Sequence, residues 1–303
     1  MATGLSLRNS GNLENMSQII ITNAISAVEP AGPTNQLVSR YDIPDGAKQV
    51  NVPLWTRNDA AAVTEGVDIS VPQQIEANVV TMSGEEHGIL IFVSDRLQKQ
   101  NSEDVLAHVG EVQGNALGRL LDKDLIALFD DFTKVIVDSS STATDGTIVD
   151  LAGAVSYLRS DNDASYGPAY GELNAVLHPE HIRRLAQDVT GISAGGTATT
   201  AGTTYNNGSI SEDVLRNYYR GNFGIFGINI FEDGNLTVAS NAAKGAIFQR
   251  EALALAIEQE MNAEQERDAS LRGTEVVMTG TWKEKQIIDA FGVEFHGKTT
   301  AIS

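Results

Sequence analysis

The chain has 303 residues, of which 42% are hydrophobic and 20% charged; this excludes a disordered chain and allows a sizeable core, with two domains as the prior. A formal charge of −19 excludes general binding to phosphate backbones or anionic lipid, both of which need clustered Lys and Arg. The absence of cysteine excludes disulfides and thiolate metal sites and leaves the redox compartment open.

Residues 1–34 read as a polar arm with a short helical piece around Leu13–Val28, closed by Pro30, Gly32 and Pro33. Its opening, MATGLSLRNSGNLENMSQIIITNAI, carries neither a continuous apolar core nor a small-residue cleavage site, so a cytoplasmic start is expected. From Lys48 the pattern changes. Val50, Val52 and Leu54 alternate with Asn51, Pro53 and Trp55, and Val67, Ile69 and Val71 alternate beyond Gly66. These runs predict a two-stranded hairpin with a tip at 57–62, ended by Pro72, with Pro53 confining its strand to an edge. A two-stranded ribbon is marginal alone in water, so it must lie on something, either its own domain or another subunit. The residues leave both open.

Strand-like runs at Ala77–Met82 and Gly88–Val93 lead into a long amphipathic helix predicted over Asn101–Phe132. Asn101 or Ser102 caps it, and Glu103 and Asp104 complement the helix dipole. Its apolar stripe is read as Val105, Val109, Val112, Ala116 and Leu120, widened by Leu106, Leu117, Leu121, Leu128 and Phe132. At 1.5 Å per residue it reaches about 45 Å, longer than a compact domain needs. Gly110, Gly114 and Gly118 lie four apart on one face, each costing roughly 1 kcal/mol relative to Ala. They mark either a close approach of another backbone or a bend. The polar face, Glu111, Arg119, Asp122, Lys123 and Asp124, excludes a membrane span.

Val135–Val137 and the Ser/Thr run at 139–144 read as a linker. Helices are predicted at Thr147–Ser160, His178–Val189 and Ser211–Arg220, with a strand at Leu173–Leu177. Residues 191–208 form a loop of small residues, and Phe223–Phe231 a strand with glycine bends, turned by Gly234. Residues 251–267 are ambiguous: Leu253, Leu255 and Ile257 alternate as in a strand, whereas composition favours helix. Thr274–Trp282 and Gln286–Phe295 read as strands.

Four patterns resemble chemical motifs, and each lacks a required part. Gly191-Ile192-Ser193-Ala194-Gly195 has the letters of a nucleophile elbow, but helical residues precede it where a strand is needed. Gly191 and Gly196 stand at P-loop spacing without the following lysine. Asp161, Asp163, Ser165 and Glu172 fit a calcium-loop template, but Tyr166 replaces its turn glycine. His178 and His181 share a helix face without an identifiable third zinc ligand, and read as surface or interface histidines. No constellation supports an enzyme, a cofactor or a metal.

The order of parts is more informative. Short arm, long hairpin, strand, very long helix, α/β domain and returning strands together resemble the major capsid protein of tailed double-stranded DNA phages, with the Hong Kong 97-type fold. Asn51-Val52-Pro53-Leu54 followed by Ala62–Gly66 is similar to the family's extended loop, and Ile91-Phe92-Val93-Ser94-Asp95 to the entry to its spine helix. Ala175-Val176-Leu177-His178-Pro179 and Phe226-Gly227-Ile228-Asn229-Ile230 resemble axial-domain elements, and Ala290-Phe291-Gly292-Val293 its C-terminal strand.

The resemblance implies an α+β fold divided into an N-terminal arm (1–34), an extended loop (35–80), a peripheral domain with the spine helix (81–145), an axial domain (146–245) and C-terminal strands returning to the peripheral domain (246–303). It favours the strand at Ala252–Glu258, and it makes Val52, Leu54, Trp55, Arg57 and Glu65 contacts to a neighbouring subunit. Gly110, Gly114 and Gly118 become close-packing positions of the spine helix. The expected partners are further copies in hexamers and pentamers, possible separate scaffold, portal and decoration proteins, and packaged DNA enclosed without sequence-specific binding, with no membrane. The segment before Asn35 is too short for the N-terminal scaffolding domain of some relatives. Asn51–Val80 contains no lysine for the cross-link that others form there. The expected location is the virion, assembled in a bacterial cytoplasm. An encapsulin-like compartment shell and, from another class, a serine hydrolase using Ser193 are the alternatives.

Overall fold

The computed structural model describes residues 32–58, 60, 62–66, 68, 75–100, 105–136, 146–190, 223–239 and 241–299. The expectations for the arm's helical piece, the 191–208 loop with its Gly/Ser motifs, and the Ser211–Arg220 helix lie outside the described residues. The described residues fall into two compact units: His87–Leu117 with Met261–Gly280, and the remainder.

After a helical turn at Thr34–Leu37 come strands β1 (Ser39–Asp42), β2 (Val50–Trp55), β3 (Ala77–Met82) and β4 (Glu85–Ser94). Helix α1 (Asp95–Gln100) and the long α2 (Val105–Ala127) follow, closed by a 3-10 turn, Leu128–Asp131. Then come β5 (Val135–Ile136), α3 (Ile148–Arg159), β6 (Leu173–Leu177), α4 (Pro179–Thr190), β7 (Phe223–Ile225), β8 (Ile228–Glu232), β9 (Val238–Ala239), β10 (Ala242–Gln249), β11 (Leu253–Asp268), β12 (Gly273–Gln286) and β13 (Gly292–Lys298). One sheet has the order β1-β11-β12-β4; a seven-stranded sheet runs β5-β13-β10-β6-β8-β7 with β9 on β10; β2 and β3 pair alone.

In the first unit, α2 is tied to the strands by a buried amide. Gln113 Nε2 donates to the carbonyls of Ile89 (3.3 Å) and Val276 (2.8 Å), on two strands at once. Arg267 grips Asp95 with two bonds of 2.9 Å, and the Asp95 amide donates to the Arg272 carbonyl at 2.9 Å. The strand residues here leave no space at Gly273, where a Cβ would lie 2.3 Å from the Phe92 ring.

In the second unit, α3 and α4 bury Leu151, Leu158 and Leu185 with Leu173, Ile230 and Phe295 of the seven-stranded sheet. Thr147 starts α3 with a capping box: its hydroxyl accepts from the Asp150 amide, and Asp150 accepts from the Thr147 amide. A smaller core holds Ile43, Val52, Met82, Ala254 and Ala256.

The described partner strand of Val50–Trp55 is Ala77–Met82, in register Val50↔Met82 to Trp55↔Ala77; the expected Val67–Val71 run, apart from Asp68, lies outside the described residues. Three sequence expectations are corrected. The long helix turns 3-10 after Ala127, because Asp130 and Asp131 stand at the C-terminal end, where the dipole disfavours carboxylates. Its buried row is Gln113, Leu117, Leu121, Leu125 and Phe129, while Val112 and Leu120 of the expected stripe are exposed. Phe223–Phe231 is two strands folded about Phe226 and Gly227, both at positive φ.

The ambiguous segment is strand. Leu253–Ala256 is fully buried, and β1 pairs it in parallel from Ser39↔Ala254 to Asp42↔Ile257. Pairing and burial override helical composition there. Of residues 246–303, Met261–Gly280 shares a unit with His87–Leu117, whereas β13 lies in the seven-stranded sheet beside β10.

Candidate assembly surface

The β2–β3 hairpin has two unlike faces, as strand alternation requires. Val52 and Met82 are buried, and Val50 and Leu54 pack partly on the core beneath them. The other face, Asn51, Pro53 and Trp55 with Ala77, Val79 and Thr81, is exposed throughout. Trp55 is 65% and Val79 57% exposed. The hairpin therefore lies on its own chain through one face and presents an apolar face through the other. The packing on its own chain is one of the two readings left open by the sequence.

Arg57 fixes the hairpin at its tip end. Its guanidinium meets Asp161 at 2.7 Å and donates to the Ala164 carbonyl at 2.9 Å, and its amide donates to the Ser165 carbonyl at 2.8 Å. Asn78 adds a bond to the Tyr166 hydroxyl at 3.0 Å. Among the five residues expected to touch a neighbour, Val52 is in the chain's own core, Leu54 lines it and Arg57 holds its own 161–166 loop. Trp55 and Glu65 face outward. Val79 belongs to the same face, and its alternation with Ala77 and Thr81 was the sequence signal for it.

The three helix glycines have open surroundings. A Cβ built on Gly110, Gly114 or Gly118 meets no described atom within 4 Å. Among the described residues, no neighbour in the subunit requires glycine at these positions.

The acidic loop is structural. Asp161 pairs with Arg57, and Asp163 accepts from the amides of Ser165 (2.6 Å) and Tyr166 (2.9 Å), fixing the turn. Glu172 accepts from Asn229. His181 is buried, correcting its reading as a surface or interface residue. Its Nε2 donates to the Gly297 carbonyl at 2.9 Å, and burial pushes its pKa down to about 4, keeping it neutral. Its ring edge meets Phe295 at 5.4 Å. No group of three metal-binding side chains exists among the described residues, and none of their helices is long and apolar enough to cross a membrane.

The sequence profile of the family described as phage capsid protein matches residues 79–287. None of the curated proteins matches the chain. Solved structures share its fold. A structure of Mycobacterium phage Che8 is 18% identical, covers 91% of this chain and 95% of its own, and has a TM-score of 0.70. The capsid of Ralstonia phage GP4 is 12% identical over 94% and 96%, with a TM-score of 0.68. The head structure of Helicobacter pylori bacteriophage KHP40 is 10% identical over 99% and 100%, at 0.67. The α+β arrangement of sheets and helices fits the Hong Kong 97-like capsid fold, and the chain belongs to the phage capsid protein family, with the structural role of a major capsid protein of the virion.

Proposed function

We propose that this chain assembles with copies of itself, as hexamers and pentamers, into an icosahedral shell that encloses the double-stranded DNA genome of a tailed phage, and that it performs no catalysis. The observation that carries this is the outer face of the β2–β3 hairpin, where Trp55 and Val79 stand in solvent on a ribbon whose other face is already satisfied. A large aromatic at the centre of an apolar patch is the side chain expected at an interface between copies. In this reading residues 35–80 are the extended loop that reaches the neighbour, 87–117 with 261–280 belong to the peripheral domain, and 146–245 with β13 to the axial domain. Assembly takes place in the host cytoplasm, with separate scaffold, portal and decoration proteins as candidate partners. The −19 charge keeps packaged DNA from adhering to the wall. A photo-reactive amino acid placed at position 55 tests the contact: cross-links between subunits of assembled particles are expected, and cross-links only within one subunit would overturn it.

Gly110, Gly114 and Gly118 take their role in this reading from the shell. Gly114→Leu gives a soluble, folded subunit, because its Cβ has space in the subunit. Unassembled protein then indicates close packing against a neighbour, and misshapen particles a bend that sets curvature. Normal shells by electron microscopy would remove both roles.

A further inference from the structure

Two carboxyl groups are buried together in the second unit, one on α2 and one in the turn after β8. Asp122 is 2% and Asp233 1% exposed, and the Asp122 carboxyl lies near enough to Asp233 to help raise its pKa. Asn235 spans them. Its side-chain amide donates to Asp122 Oδ2 and its backbone amide to Asp233 Oδ1, each at 2.8 Å. The Thr34 hydroxyl donates to Asp233 Oδ2 at 3.5 Å. Three of the four oxygens thus have donors, and Asp122 Oδ1 is buried without one. Gly32 closes the pair from above: a Cβ there would lie 1.8 Å from Asp122 Cγ, so only the bare backbone fits.

Two adjacent buried carboxylates cannot both ionise at acceptable cost, and a proton on Asp233 supplies the donor that Asp122 Oδ1 lacks. We propose that Asp233 carries a proton bonded to Asp122 Oδ1 and that the pair forms a latch that holds the base of the N-terminal arm (Gly32 and Thr34) and the turn at 233–235 on the long helix, and that opens when this proton is lost. Burial, followed by the hydrogen bond and charge of Asp122, pushes Asp233 up to about 7. The groups facing Asp233 are Asp122 from the helix, the Asn235 amide from its own turn and the Thr34 hydroxyl from the arm; no cation is among its leading influences.

The sign follows from linkage. The folded form holds a proton that the unfolded chain releases near its ordinary value of 3.8, so the latch contributes fully in acid and is lost as pH rises through about 7. His181 has the opposite slope, since its folded value of about 4 lies below the ordinary 6.5, and its contribution is lost as pH falls between them. A comparison at each pH between wild type and Asp233→Asn cancels the histidine.

The test is made on the unassembled subunit and is independent of the assembly role. Melting midpoints and amide exchange at 34–38, corrected for intrinsic chemistry, are measured from pH 5 to 8.5 in wild type, Asp233→Asn and Asp122→Asn. Wild type is expected to lose midpoint relative to Asp233→Asn as pH rises toward 7, and protection at 34–38 is expected to fall by up to roughly tenfold per unit between pH 5 and the titration point and to level off above it. A pH-independent difference would overturn the latch. If the variants do not fold, infrared difference spectra of wild type decide: a protonated-carboxyl band lost with a midpoint near 7 is expected, and its absence contradicts the proposal.

Discussion

Trp55→Asp gives a folded subunit that no longer builds shells. The side chain is 65% exposed, so its removal leaves the subunit within about 0.5 kcal/mol of wild type, as for surface changes generally. At the centre of an interface, truncating a tryptophan costs about 2 kcal/mol or more, which weakens each contact roughly thirtyfold. The aspartate adds a charge that must be desolvated there. A shell repeats one contact at every symmetry-related position, so this loss recurs throughout the particle. The check is paired: urea unfolding of the isolated subunit, which should barely move, and sedimentation under assembly conditions, which should show no particles. Particles at wild-type yield would place the interface elsewhere. Arg57→Ala serves as a contrast, because Arg57 acts on its own 161–166 loop and its loss changes the hairpin's seat without removing apolar area.

Phe248→Ala has the largest effect on the subunit itself. Phe248 is fully buried on β10, and its ring meets that of Phe129, also fully buried, at 5.6 Å between centroids. Its strand pairs β6 on one side and β13 on the other, so the backbone cannot close on the void. Truncation of a core phenylalanine costs about 3–5 kcal/mol, from lost transfer energy and the cavity left behind. That is a large share of the 5–15 kcal/mol typical of a domain, roughly. Urea unfolding should show the unfolding free energy lowered by this amount, with Phe248→Leu far milder. The same truncation at Phe226, half exposed in the β7–β8 turn, should be nearly silent. Equal costs at both positions would contradict the assignment of the core.

Legibility in the sequence followed the range of the interactions. The long helix and the helix at Thr147–Ser160 were readable because spacing of three and four residues is local. The pairing of Val50–Trp55 with Ala77–Met82 was not legible, since Val67–Val71 and Ala77–Met82 both alternate and the pattern does not say which of them pairs. The strand at Leu253–Ala256 was not decidable from composition, because its stability comes from β1, more than 200 residues away, as the register Ser39↔Ala254 shows. Asp122 looked like part of a solvated helix face. Its burial depends on Asp233, Asn235 and Thr34, none of which any local pattern connects to it. Of the candidate contacts, Trp55 was legible as the largest apolar side chain on a ribbon. The inward turn of Val52 and the capture of Arg57 by the 161–166 loop were not, because both depend on distant segments.

In the proposed shell the outward face of the β2–β3 hairpin meets a further copy of the subunit. Negative-stain microscopy of the purified wild-type protein at neutral pH tests this most directly. Closed shells of uniform size are predicted; a monodisperse species at the 32.3 kDa subunit mass, under every condition that keeps the protein folded, would contradict it.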